Sequence, residues 1–265
     1  MIGIRRNYLK FRHTIWLVII AMVLLSVLGC NAKSEIKKPP LRILFIGNSY
    51  TFTTNIPLVF TELAKSGGHP IETGIAADKG GAFSDYASSS IIHDKIKSTK
   101  WDYVILQEQS QLPSVEELRV EEMYPAARRL VDQIKAAGSV PLFFLTSANR
   151  DGWPENGLND YESMQLQINQ GYLDIAKELN TPVAPVGYVW SEVMKENPQL
   201  ELWVDGRHPN KQGAYLAACV FYSVIFRENP EGLKYAANVP EETAHFLQAH
   251  ASRAVLNNLI QWNLM

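Results

Sequence analysis

Cysteine is almost missing from this chain: of 265 residues only Cys30 and Cys219 are cysteines. Two thiols so far apart build no disulfide framework, and no Cys/His pair has the spacing of zinc ligands. Excess positive charge is missing too. The formal net charge is −2, and the stretch 1–29 holds Arg5, Arg6, Lys10 and Arg12 with no acid, so the remainder stands at −6. A mildly acidic body without a basic stripe has nothing to draw a phosphate backbone, which argues against a nucleic-acid partner. There is no Walker sequence, no G-x-G-x-x-G after a strand, no internal repeat and no low-complexity tract. What is present is ordinary for a folded protein: 46% hydrophobic and 20% charged residues, with 16 Gly and 14 Pro.

The first thirty residues read as targeting rather than fold. Basic residues up to Arg12 precede the apolar run IWLVIIAMVLLSVL, and Gly29-Cys30 follows. That run suits a signal h-region and is short for a spanning helix, which needs about 20 residues. Val27-Leu28-Gly29-Cys30 resembles a bacterial lipobox, which implies cleavage after 29, lipidation of Cys30 and anchoring of an exported protein in the cell envelope. Arg5-Arg6 also resembles a twin-arginine signal, although so apolar an h-region favours the general secretory route. Residues 30–40, polar and closed by Pro39-Pro40, form a tether, and residues 41–265 the folded domain. With Cys30 acylated, Cys219 is left as a small apolar residue on an apolar helix.

From Leu41 onward, short apolar runs alternate with helical periods. Strands are expected at Leu41–Ile46, Ile71–Ala76, Tyr103–Gln107, Val140–Thr146 and Val183–Val186, and helices near 56–66, 84–98, 115–137, 160–179, 210–227 and 242–262. Such alternation predicts an α/β fold, a three-layer α/β/α sandwich around a central, mainly parallel five-stranded sheet of flavodoxin type. In open sheets of this kind ligands bind beyond the carboxyl ends of the strands. Ser49, in the turn closing LRILFIGNSY, therefore stands where chemistry is done.

A serine nucleophile needs a base, and the base needs an orienting acid. Of the six histidines, His13 lies in the signal, His69 in a Gly-Gly-His-Pro turn, and His93, His245 and His250 in helical patterns. His208 differs, because Asp205-Gly206-Arg207-His208-Pro209 is a compact loop that brings a carboxylate and an imidazole to one place.

Gly47-Asn48-Ser49 near the start of the domain and Asp205-x-x-His208 near its end resemble the SGNH hydrolases, the GDSL-type lipases and esterases. Asn48 stands where that family usually has aspartate. The resemblance covers roughly residues 41–225. It implies the SGNH-type fold and two-step acyl transfer with Ser49 as nucleophile, His208 as base, Asp205 as its orienting acid, and no metal or organic cofactor. The oxyanion would be held by the backbone amides of Ser49 and of Gly81, from Lys79-Gly80-Gly81, and by a side-chain amide of the third block. There the chain departs from the usual Gly-x-Asn, offering Gln107-Glu108-Gln109-Ser110-Gln111. Gln107 at the strand tip is favoured, then Gln109; an ungapped alignment selects Gln111. A glutamine amide offers the same donors on a longer arm.

The polar loop 147–159 supplies Trp153 as a candidate platform for a sugar ring, and a short acyl group on a small molecule or carbohydrate is the expected substrate. Other readings remain: a glycan- or small-molecule-binding protein on the same fold, a glycosidase using carboxylates among Glu108, Glu116, Glu117, Glu121 and Glu122, and a metal site on Asp205 and His208.

Overall fold

A computed structural model describes residues 39–265; the expectations placed on the signal, on Cys30 and on most of the tether lie outside the described residues. The strands are β1 (Leu41–Gly47), β2 (Ile71–Ala77), β3 (Tyr103–Leu106), β4 (Val140–Phe144) and β5 (Val183–Ala184). They form one sheet in the order β2-β1-β3-β4-β5. Every neighbouring pair runs parallel, so the sheet is wholly rather than mainly parallel. Ile43 to Ile46 of β1 are all essentially inaccessible, the unbroken apolar run of a strand covered on both faces.

The helices, in chain order, are α1 (Ser49–Phe52), α2 (Ile56–Ser66), α3 (Phe83–Ser88), α4 (Ser90–Ser98), α5 (Tyr124–Ala136), α6 (Tyr161–Leu179), α7 (Val186–Glu196), α8 (Lys211–Phe226) and α9 (Glu241–Leu256). The crossovers between parallel strands divide them between two layers. In one layer α8 packs on α2, α7 and α9; in the other α5 packs on α3, α4 and α6. Adjacent β4 residues show the division. Phe143 meets Phe83 and Tyr172 of one layer, whereas Phe144, like Phe45, meets the edge of Phe221 in the other.

Local chemistry explains the departures from the expected helices. The stretch 84–98 is broken at Ser89, an extended residue that caps α4 by accepting from the Ile92 amide. The stretch 115–137 opens with a turn at Glu116–Leu118 and a widened turn at Arg119–Met123, just before Pro125, which has no N–H to continue the regular ladder. The last helix ends at Leu256, and Trp262 reaches the core by a separate route, its backbone carbonyl accepting from Val183 at 3.0 Å. Helix α7 was not expected, and its first residue, Val186, was assigned to the fifth strand, which instead ends at Ala184. The structure needs glycine after Val186, since a Cβ on Gly187 would fall on the Thr146 carbonyl. Cys219 is buried on α8, as a small apolar residue should be.

Strand order reverses between β1 and β3, so the loops leaving their carboxyl ends diverge and leave a crevice. The loops after β1, β2, β3 and β4 converge on it, and so does the loop before α8.

Candidate active site

At the end of β1 the chain turns sharply through Gly47. A Cβ here would lie 2.6 Å from Gln107 Oε1 and 2.9 Å from Thr51 Oγ1, so only glycine fits. Asn48 is extended and caps α1 by accepting from the Tyr50 amide at 3.1 Å. This places Ser49 at the head of α1 with its hydroxyl toward the crevice. Tyr50 anchors the turn from below. Its hydroxyl shares a 2.8 Å hydrogen bond with Ser147 Oγ, and burial raises its pKa to about 12 against the pull of the Ser147 contacts.

Ser49 Oγ lies 2.9 Å from His208 Nε2, and His208 Nδ1 lies 2.7 Å from Asp205 Oδ2. A carboxylate facing Nδ1 fixes the proton there, leaving Nε2 as the acceptor for the serine hydroxyl. The loop carrying the pair is well fastened. Val204 N–H donates to the His208 carbonyl (2.9 Å), Asn210 N–H to Leu202 (2.9 Å) and Arg150 N–H to Gly206 (2.8 Å). Gly206 takes φ of +80°, which glycine adopts without strain. Asn210 then caps α8, accepting from the amides of Gln212 and Gly213. Desolvation opposes the charge on Asp205, but it is outweighed. The backbone and ring N–H of His208, with the Arg207 amide, bring the Asp205 pKa down to about 2.

The expected oxyanion donors are only partly where they were sought. Ser49 lines the cleft, and so do Gln109 and Gln111. Gln109 Oε1 accepts from the amides of Gln111 (2.8 Å) and Leu112 (3.1 Å), and its Nε2 donates one hydrogen to Gln111 Oε1 (3.1 Å), leaving the second. Gln107 has to be withdrawn. It is fully buried, its Oε1 accepts from Asn48 N–H and Thr51 Oγ1 (both 2.9 Å), and its Nε2 donates to Asn48 Oδ1 (3.0 Å) and the Glu108 carbonyl. Both amide hydrogens are spent.

Gly81 is corrected too. Its N–H donates to the Asp78 carbonyl at 3.1 Å, closing the turn after β2, and Gly80 lines the cleft in its place. Gly81 is glycine because a Cβ would fall on the Tyr86 hydroxyl, which donates to the Gly47 carbonyl and accepts from the Asp78 amide.

Two residues beneath the cleft tie its blocks together, and neither role shows in the sequence. Asn48 joins all three: its Oδ1 accepts from Tyr50 N–H and Gln107 Nε2, while its Nδ2 donates to the Gly81 carbonyl (3.0 Å). Glu108 is fully buried, and its Oε1 accepts from the amides of Phe83 (2.8 Å) and Gln109 (2.7 Å), with Oε2 unpartnered among the described residues. Burial pushes its pKa up to about 8, partly opposed by those two amides and assisted by Glu122 and Asp85.

The cleft has a volume of about 190 Å³. Asn149, Lys79 and Arg207 also line it, and none was singled out in the sequence. Asn149 does sit in the loop chosen for its polarity. Trp153 is half-buried against the core and does not line the cleft, so it offers no platform there. No carboxylate pair lines the cleft: Glu108 is buried, while Glu116, Glu117, Glu121 and Glu122 are exposed on the segment preceding α5. Among the described residues no third His, Cys, Asp or Glu joins Asp205 and His208 in a metal-binding group.

No protein-family model and no curated protein matches the chain. Solved structures do. A protein from Slackia heliotrinireducens assigned to the SGNH hydrolases is 23% identical, with a TM-score of 0.61, covering 71% of this chain and 100% of its own. A DUF4886-family protein from Bacteroides uniformis is 18% identical, with a TM-score of 0.69, over 82% and 95%. Axe2, an acetylxylan esterase from Geobacillus stearothermophilus, is 16% identical, with a TM-score of 0.55, over 70% and 94%. At such identities the likeness is one of fold, and it agrees with the sheet order and the helical layers: this chain has the SGNH-hydrolase fold.

Proposed function

We propose that the protein is a serine esterase cleaving short O-acyl esters, with Ser49, His208 and Asp205 as its triad. One observation carries this reading: Ser49 Oγ, the His208 ring and the Asp205 carboxylate form a continuous hydrogen-bonded line, at 2.9 and 2.7 Å, from two ends of the chain. His208 Nε2 takes the hydroxyl proton as Ser49 Oγ attacks the ester carbonyl, and then delivers it to the leaving alcohol. Water, deprotonated by the same nitrogen, releases the acyl group from Ser49. Asp205 keeps the ring in the useful tautomer and stabilises its cationic form. The developing oxyanion is met by the N–H groups of Ser49 and Gly80 and by the uncommitted hydrogen of Gln109 Nε2. A donor of that kind lowers the barrier by about 3–4 kcal/mol.

A small polar cleft favours acetyl-sized groups on a hydrophilic alcohol, and the acetylxylan esterase among the structural neighbours supports a carbohydrate ester. The lipobox-like sequence supports a cleaved signal over 1–29 and an envelope protein anchored through Cys30; Cys30→Ser should release it from the membrane fraction.

The test is hydrolysis of 4-nitrophenyl acetate. Ser49→Ala should slow it by at least about a thousandfold with the fold retained, and a fluorophosphonate should label Ser49 alone. Equal rates for the two proteins across a panel of esters, or label on another serine, would sink the proposal.

A further inference from the structure

The cleft wall is polar but not electrically neutral. Gln109, Ser110, Gln111 and Asn149 supply amides and a hydroxyl, Lys79 and Arg207 supply two cations, and no carboxylate is among the lining residues. Neither cation forms an ion pair among the described residues. Several cations elsewhere on this surface are paired with carboxylates. Arg150, one residue beyond Asn149, is paired with Glu201, and Arg128 with Glu178 at 2.6 Å. Asp205 is near Arg207 in the chain, but its oxygens are occupied by the His208 ring and by the amides of Arg207 and His208. On a body with a net charge of −6 beyond residue 29, the two cations set against the ionised Asp205 still leave one positive charge in excess at the crevice.

Position says which part of a substrate meets that charge. Arg207 immediately precedes His208, whose Nε2 faces Ser49 and hands the proton to the departing oxygen. It therefore stands on the leaving-alcohol side. Lys79 immediately precedes Gly80 on the loop after β2, which also lines the cleft. A guanidinium fork binds planar oxyanions in two-point fashion, and a lysine adds a mobile point charge.

Resting on the esterase reading above, we propose that the preferred substrate is a short-chain ester of an anionic alcohol, one bearing a carboxylate, phosphate or sulfate, with Arg207 and Lys79 as its specificity determinants.

The experiment compares kcat/KM for 4-acetoxybenzoate with that for its neutral counterpart 4-acetoxybenzamide. The wild-type protein should favour the anion by roughly tenfold at low ionic strength, and the preference should shrink toward unity near ~0.5 M salt, where the screening length is only a few ångströms. Arg207→Gln and Lys79→Gln should each lower the ratio, and Lys79→Glu should lower it further. A wild-type ratio at or below one, or a ratio indifferent to all three substitutions, overturns the proposal. Should neither ester be hydrolysed, the esterase reading fails, and calorimetry on the same compounds decides the anion site separately: tighter binding of the benzoate than of the benzamide sustains it, and equal or undetectable binding overturns it. An O-acetylated uronate and an O-acetylated sugar phosphate, each measured against the neutral sugar ester, identify the anion; preference for either supports the proposal, and preference for neither overturns it.

Discussion

Glu108→Gln should remove a steep pH dependence of stability, whose sign follows from the burial of the carboxyl. Glu108 is fully buried beneath the cleft, and its pKa rises from the ordinary 4.5 to about 8. Between those values the folded protein holds a proton that the unfolded chain has released. The stability linked to Glu108 is thus fully present below about pH 4.5 and is lost as pH rises toward 8, at about 1.4 kcal/mol per pH unit for one proton. From pH 5 to pH 8 the loss comes to roughly 3–4 kcal/mol, a large share of the 5–15 kcal/mol that typically holds a domain together. Glutamine keeps an oxygen for the Phe83 and Gln109 amides and does not titrate in this range. Urea unfolding of both proteins at each pH from 5 to 8 isolates the effect, because every other titrating group is common to the pair. The variant should gain on the wild type by about 3 kcal/mol across the series. Parallel curves, or a gap that widens toward acid pH, would refute a neutral, buried Glu108.

Two further substitutions test the scaffold of the site. Gln107→Glu keeps the oxygen that accepts from Asn48 N–H and Thr51 Oγ1 but replaces the amide nitrogen and its two hydrogens with one oxygen facing both Asn48 Oδ1 and the Glu108 carbonyl. It should cost about 3 kcal/mol or more in urea unfolding and depress ester hydrolysis, whereas native stability and rate would show that Gln107 does not hold the turn. Gly81→Ala drives a methyl into the Tyr86 hydroxyl and should destabilise by about 2–3 kcal/mol. Gly80→Ala meets no atom within 4 Å and should lose only about 1 kcal/mol through its φ of +73°. Equal losses at the two positions would argue against the packing role given to Gly81.

Much of the fold is legible along the chain because its signals are local. Ile43 to Ile46 read as a strand buried on both faces, and the starts of all five strands follow from where apolar runs begin. The Ser49–His208–Asp205 alignment was legible too, since an early strand-end serine and a compact Asp-x-x-His loop are short patterns whose chemistry has few uses. The third block was not. Were the strand to run on through this block, alternation would set Gln107, Gln109 and Gln111 on one face, but β3 ends at Leu106 and the chain then turns. Beyond that point period two no longer applies, so Gln107 is buried under Asn48 while Gln109 and Gln111 reach the cleft.

By itself, then, the sequence determined the alternation of strands and helices, the glycine turn that presents Ser49, and the loop that pairs Asp205 with His208. Each rests on residues within a few positions of one another, where backbone preference and periodicity act. Tertiary structure alone decided which amide is free and which is spent, that Gly80 rather than Gly81 lines the cleft, that Glu108 is buried and held neutral, and that Lys79 and Arg207 share one crevice. Hydrogen-bond satisfaction, desolvation and the sum of charges depend on neighbours far away in the chain, and only the packed fold brings those neighbours together.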